Sequence, residues 1–231
     1  MISFIIPAHN EHLLIGRTVA AIHAAAKAEG EEYEIIVVND SSTDATGTIA
    51  AQQQARVLEV SNRQIAATRN AGARNAQGDF FFFVDADTTA TRRALHAAIR
   101  ALRNGAVGGG CSVRFDRPLP RYAVLLEKIL PTALHTLRLA PGCFIFCTRQ
   151  GYYDAGGFDE SLYCTEEVGF AQRLKRLGHF AILREFVVTS PRKLRTRTAF
   201  EMIMLGVRMG LAGPKSTRQR EGLDYWYGPR E

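Results

Sequence analysis

Two aspartates separated by one alanine, Asp85-Ala86-Asp87, directly follow an unbroken apolar run, Phe80-Phe81-Phe82-Phe83-Val84. Carboxylates at i and i+2 share one face of an extended chain, and a turn at that point draws them closer. Two hard oxygen ligands suit Mg²⁺ or Mn²⁺, which would hold a diphosphate through its own oxygens. The same three residues also serve as a solvated turn in which Asp87 or Thr88 caps a helix. Their position behind a core strand gives the ligand reading its weight. Asp40 closes Val37-Val38-Asn39-Asp40, where a carboxylate can accept an N–H from a nucleobase, while Thr43 and Asp44 behind it read as helix caps. Glu11 follows Pro7-Ala8-His9-Asn10 and either accepts a ribose hydroxyl or favours the first turn of its helix. His9 is equally a packed loop histidine or a contact. Arg69, in Arg69-Asn70-Ala71-Gly72, either aims its guanidinium at a nucleotide or lies on the surface.

Alternating elements must carry these residues. Apolar runs predict strands at 2–6, 33–38, 56–60 and 80–84, and helical spacing predicts helices at 13–28, 64–76 and 91–102, with another capped by Thr43-Asp44 and running to 53. Strands spaced by helices predict an α/β fold, a mostly parallel sheet with helices on both faces. The Phe-rich run is apolar at every position, as a strand buried on both sides must be. Ligands in such folds gather at the carboxyl ends of the strands, which selects Pro7 to Glu11, Asn39 to Ser42 and Asp85 to Thr88. The second half is less regular. Strands are expected at 112–115 and 143–147, a helix at 122–139 that Pro131 kinks, and a helix at 166–177 stopped by Gly178.

The 231 residues are 46% hydrophobic and 23% charged, enough for one sizeable core and inconsistent with wholesale disorder. No run approaches a spanning helix, and residues 1–7 read as a strand rather than a secretory leader. Neither a Gly-x-Gly-x-x-Gly turn after the first strand nor a Walker A pattern is present, which removes the dinucleotide and P-loop readings. Cys111, Cys143, Cys147 and Cys164 make no disulfide framework and read as strand and core thiols in a reducing cytoplasm.

Taken jointly, the motifs resemble a family. Phe4-Ile5-Ile6-Pro7-Ala8-His9-Asn10-Glu11, Ile36-Val37-Val38-Asn39-Asp40-Ser41-Ser42-Thr43-Asp44, Arg69-Asn70-Ala71-Gly72, Gly78-Asp79 and Asp85-Ala86-Asp87 resemble the GT-A fold glycosyltransferases of family 2. So do Gly156-Gly157-Phe158-Asp159-Glu160, Glu166-Glu167 and Arg173-Leu174. The resemblance covers residues 2 to about 183. It implies a single GT-A domain: a nucleotide-sugar-binding half at 1–105, an acceptor-side half at 106–183 and a basic segment at 184–231. It also implies an inverting transferase that uses Mn²⁺ or Mg²⁺ and moves one sugar from a nucleotide-sugar donor to an acceptor hydroxyl. By position, Pro7, Glu11, Asp40, Arg69, Asp85 and Ala86 would bind the donor. Asp87, with Asp85, would hold the metal, and Gly157 and Glu166 would face the acceptor. The family usually carries Glu-Asp on the helix after the Gly-Gly-Phe-Asp turn. Here the pair is Glu166-Glu167, so Glu167 falls in the place of the base with its arm one methylene longer. Burial against Phe170 and Leu162 would raise its pKa toward the working pH. The processive synthases' Gln-x-x-Arg-Trp signature is absent around Trp226, so transfer is expected to be non-processive. The alternative is a catalytically silent sugar-nucleotide-binding module.

The net charge of +6 has a local origin: from Arg184 onward ten basic residues face five acidic ones. The stretch Ser190-Pro191-Arg192-Lys193-Leu194-Arg195-Thr196-Arg197 either closes over a diphosphate, lies on anionic lipid at the inner face of a membrane beside the apolar run 200–211, or is a solvated basic face. The segment 122–139 is open to an interfacial, lipid-linked-acceptor or homodimer role. The acceptor itself is left open among small molecule, glycan and lipid-linked sugar. Nucleic acid is not expected as a partner, because the tail carries no recognised motif and no aromatic–basic stacking pattern.

Overall fold

The computed structural model describes residues 1–120, 122–124, 127, 132 and 140–192. The expected helix at 122–139 lies largely outside them. The apolar run 200–211, Trp226 and the basic residues after Arg192 lie wholly outside.

Four strands and four helices alternate as anticipated. They are β1 (Ile2–Ala8), α1 (Ile15–Glu29), β2 (Tyr33–Asp40), α2 (Thr46–Gln52), β3 (Arg56–Val60), α3 (Ile65–Asn75), β4 (Phe80–Val84) and, after the two-residue β5 (Thr88–Thr89), α4 (Arg92–Arg103). Then come β6 (Gly108–Phe115), β7 (Phe144–Thr148), α5 (Arg149–Asp154), α6 (Glu166–Leu177) and β8 (Phe180–Thr189). One sheet has the order β3-β2-β1-β4-β7-β6-β8-β5. β1 pairs in parallel with β2 and β4, and β2 with β3, while β7 enters antiparallel between β4 and β6.

The two-residue period of a strand explains how one sheet serves two cores. Ile2, Phe4 and Ile6 of β1, Ile35 and Val37 of β2, and Phe82 and Val84 of β4 face one cluster, covered by α1, α2 and α4. Ile5, Ile36, Val38, Phe81 and Phe83 face the other, covered by α3, α5 and α6. A strand with both faces covered has no solvent side, which is why β4 is apolar throughout. The thiols behave as expected: all four are free, and Cys111, Cys147 and Cys164 are buried.

Pattern reading departs from the structure at three places. β6 begins at Gly108 rather than Ser112, and β8 falls where no strand is expected. Glycine is a poor strand former, yet a Cβ at Gly109 would meet the Ala181 carbonyl at 2.2 Å and the Phe146 ring at 2.4 Å, so only glycine fits between β7 and β8. Gly178 does stop α6, but in an extended conformation (φ 166°) rather than a left-handed cap. A Cβ there would lie 2.7 Å from Val107.

Candidate functional site

The polar residues behind β1, β2, β3 and β4 converge at the carboxyl edge of the parallel half of the sheet. The loops there are held in uncommon backbone. Asn10, Ser41 and Arg63, which follow β1, β2 and β3, have φ of 51°, 55° and 48°, and Thr165 before α6 has φ 62°. Non-glycine residues pay about 1–2 kcal/mol for this region, so surrounding contacts must enforce it. Those contacts are visible. The Asn10 N–H donates to Ser42 Oγ (2.9 Å), the Thr43 N–H to Asn10 Oδ1 (2.8 Å), and the His9 ring Nδ1–H to the Asp40 carbonyl (2.6 Å). His9 is thereby a loop tie.

Asp40 is 5% exposed. It accepts the Arg63 N–H (2.8 Å) and the Thr68 hydroxyl (2.7 Å), and more weakly the Gln64 N–H (3.3 Å). It therefore fixes the turn into α3 and the start of that helix. Gln64 caps α3 by accepting the Ala67 N–H and donates to the carbonyls of Glu160 and Leu162, tying α3 to the segment before α6. Pro7 lies in β1 opposite Val38. Glu11 is 1% exposed, its N–H bonded to the Thr46 hydroxyl and its carbonyl accepting from Leu14 and Ile15 as the chain turns into α1.

Behind β4 the chain turns at once: the Thr88 N–H donates to the Asp85 carbonyl (3.0 Å), so the two aspartates flank a tight turn. Ala86 is buried, and its carbonyl accepts the Thr18 hydroxyl (2.8 Å). The helix-cap alternative for Asp87 or Thr88 does not apply, because Thr91 caps α4. The Asp87 carbonyl accepts the Ser190 N–H (3.1 Å), which attaches the end of β8 to the turn.

Arg69 is the hub. It is 2% exposed, against the expectation that left a surface position open, and joins three segments. One terminal nitrogen meets Asp85 Oδ1 at 2.9 Å and the Gly142 carbonyl at 3.1 Å, and the other meets Glu166 Oε1 at 2.5 Å. Glu166 is 3% exposed and thus a buried counter-ion rather than an open contact. Next to Arg69, the Asn70 amide donates to the Phe158 carbonyl and to Glu160, and accepts from the Phe158 N–H and the Tyr152 hydroxyl. Gly156 and Gly157 take φ of 73° and 66° to make that turn, and Gly157 is buried against Tyr152 and Asn70.

Glu167 stands beside this network, half-buried at the start of α6. Burial first, and the Glu166 carboxylate second, push it up to about 7 against the pull of Arg69. Phe170 is fully buried in the cluster beneath the helix, its ring tilted against Phe158 at a centroid distance of 4.4 Å. What lies against Glu167 is Gly142, where a Cβ would come within 2.9 Å of Glu167 Cγ. Gly142 escapes sequence reading, since its role is visible only once the 140–143 loop meets α6. Arg192 is a second addition: its guanidinium reaches Glu11 Oε2 at 2.6 Å and Asp87 Oδ2 at 3.3 Å. The basic run 190–197 was its only signal.

Asp85 and Asp87 together supply two carboxylates, and no group of three or more His, Cys, Asp or Glu able to hold a metal occurs among the described residues. One or two carboxylates with phosphate oxygens completing the shell is how Mg²⁺ is ordinarily held. The donor set thus fits a cation that comes with a diphosphate.

Comparison with known proteins identifies the family. The family model described as Glycosyl transferase family 2 matches residues 3–161. The validoxylamine A glucosyltransferase of Streptomyces hygroscopicus subsp. limoneus is 28% identical over 142 residues, 57% of this chain and 31% of that protein. The pre-mycofactocin glycosyltransferase of Mycobacterium tuberculosis is 25% identical over 193 residues, 77% of this chain and 39% of that protein. The matched part of the chain spans about a third of the length of these two relatives. Among solved structures, the mannosyltransferase PcManGT from Pyrobaculum calidifontis in complex with GDP-Man and Mn²⁺ superposes with a TM-score of 0.67 at 20% identity, covering 94% of this chain and 66% of that one. The architecture is the one that the motif resemblance implied, that of GT-A glycosyltransferases. No helix among the described residues is long and apolar enough to cross a membrane. A family model matched over most of the chain, on a fold that brings its motifs to one edge, places the chain in glycosyltransferase family 2.

Proposed function

We propose that the chain transfers one sugar, with inversion, from a nucleotide-diphosphate donor to an acceptor hydroxyl. The observation that carries this reading is the bridge Asp85–Arg69–Glu166, centred on the buried Arg69 guanidinium. It ties the carboxylate turn behind β4 to the helix bearing Glu167, so that a donor-side group and a base-side group are set by one guanidinium. The ligands of the Pyrobaculum neighbour, GDP-Man and Mn²⁺, are of the class expected here.

Asp40 and the loops it fixes would receive the nucleobase, with Pro7, Glu11 and Ala86 bounding the ribose side and Arg69 holding the Asp85 carboxylate in place. Asp87 and Asp85 would hold Mn²⁺ or Mg²⁺, which when bound with the diphosphate offsets charge on the leaving group. Glu167 removes the acceptor proton as the hydroxyl attacks the anomeric carbon. A carboxyl at about 7 is well placed for this, basic enough to take the proton and still about half ionised at neutral pH. Gly157 and Glu166 serve from beneath, the former by letting the chain pass over Asn70 and the latter as the counter-ion of Arg69. The acceptor would approach over the 140–143 loop and the N-terminus of α6.

Calorimetric titration of a panel of nucleotide sugars in the presence of Mn²⁺ tests the reading. Binding and nucleoside diphosphate release are expected for the cognate donor, and Asp87→Ala should abolish the Mn²⁺ dependence of both. Unchanged Mn²⁺-dependent binding in that variant would overturn the metal assignment. Donor binding with neither transfer nor hydrolysis would favour a silent binding module.

A further inference from the structure

The last described residue, Arg192, lies against Asp87, one of the two carboxylates assigned above to a divalent cation. Its guanidinium spans Glu11 Oε2 (2.6 Å) and Asp87 Oδ2 (3.3 Å). Both partners are fixed: Glu11 is 1% exposed, and Asp87 Oδ1 also faces the hydroxyls of Thr189 (3.3 Å) and Thr88 (3.5 Å). The bridge is also aimed. β8 ends at Thr189, Ser190 donates its N–H to the Asp87 carbonyl, and the Arg192 N–H turns back to the Ser190 hydroxyl (3.3 Å). The strand thus delivers one cationic side chain to the one carboxylate on which the metal reading depends most.

A guanidinium and a divalent cation repel each other strongly at contact distance, more so where water is partly excluded, so they cannot share Asp87 Oδ2 at full strength. Resting on the function proposed above, we propose that Arg192 is the built-in counter-cation of the donor-free site. It supplies a positive charge to the Glu11–Asp87 pair while no donor is bound, and it yields Asp87 when the metal arrives with a diphosphate. The freed guanidinium remains on Glu11, within reach of the incoming phosphate charge. The consequence is an order of events: metal alone binds poorly, and metal with diphosphate binds well. A competitor that occupies Asp87 about nine-tenths of the time lowers the apparent metal affinity about tenfold.

The test is direct binding, with no turnover required. MnCl₂ alone is titrated into the full chain and followed by the electron paramagnetic resonance of free Mn²⁺, for wild type, Arg192→Gln, Arg192→Ala and Arg192→Lys. The two neutral variants should bind Mn²⁺ about tenfold more tightly than wild type, while Arg192→Lys, which keeps the charge, should stay within about threefold of it. With inorganic pyrophosphate added, the advantage of the neutral variants should shrink or reverse, because they have lost a partner for the phosphate. Asp87→Ala combined with Arg192→Gln should abolish binding. Mn²⁺ binding that requires Asp87 but does not tighten in either neutral variant overturns the displacement alone. Binding that survives in the Asp87→Ala, Arg192→Gln double variant overturns the metal assignment and this proposal with it. Undetectable Mn²⁺ binding to both neutral variants does the same.

Discussion

Replacing Glu167 by Gln should make the protein both more stable and inactive, with the two effects separable by pH. In the wild type, burial and the adjacent Glu166 raise the Glu167 carboxyl from 4.5 to about 7, against the pull of Arg69. A displacement of that size corresponds to about 3 kcal/mol between the charged and neutral forms. The folded state therefore binds this proton more tightly than the unfolded chain. Its contribution to stability falls as pH climbs from about 4.5 to about 7 and stays at its lowest above that. Glutamine has the shape of the protonated form and no charge, so the variant escapes the loss. At about pH 8 it should gain up to about 3 kcal/mol, on the order of 5–10 °C in Tm for a chain of this size. Below about pH 4.5 both proteins are neutral at this position, and the gain should vanish. Activity should move the other way. A lost general base lowers kcat by about 10² to 10⁴, and the residual wild-type profile should rise with pH to a plateau above about 7. Thermal melts and nucleoside diphosphate release, measured across the same pH series, read both effects. A Tm gain of equal size at every pH would refute the burial argument, and a kcat within a few-fold of wild type would refute the base.

Two further outcomes follow from the same network. Gly142→Ala places a methyl 2.9 Å from Glu167 Cγ and 3.1 Å from its Cδ, so the carboxylate must shift. Misplacing a reacting group by about 1 Å costs up to about 10²-fold, so steady-state kinetics should show kcat lowered ten- to a hundredfold with the donor KM little changed. Arg69→Met leaves Glu166 buried beside a second unpaired carboxylate, and should cost about 3–5 kcal/mol, or on the order of 10 °C in Tm. Adding Glu166→Met should recover part of that loss in thermal melts, and a double variant no more stable than the single would show that the pair is not the source.

Much of this arrangement is legible along the chain because it depends on near neighbours. The short apolar runs, the helical spacing between them and the polar strand ends are local patterns, and they placed β1 to β4 and α1 to α4 within a few residues, whereas the cap of α4 fell on Thr91 rather than on Asp87 or Thr88. The second half resisted for a physical reason. Gly108-Gly109-Gly110 carries no strand preference of its own and becomes a strand because β7 and β8 close on it from either side.

The candidate site divides in the same way. Residue types and their places behind core strands marked Glu11, Asp40, Asp85 and Asp87, Arg69 stood out as a cation beside them, and Glu167 was marked only by the resemblance to a family. What each side chain faces was decided only by folding. Arg69 and Glu166 are 97 positions apart in sequence, and Arg192 lies 181 from Glu11. No local preference encodes such pairs. They arise because two cores, packed on opposite faces of one sheet, bring the ends of distant elements to a single edge. There, partial exclusion of water raises Glu167, pairs Arg69 with its carboxylates and sets Arg192 against Asp87.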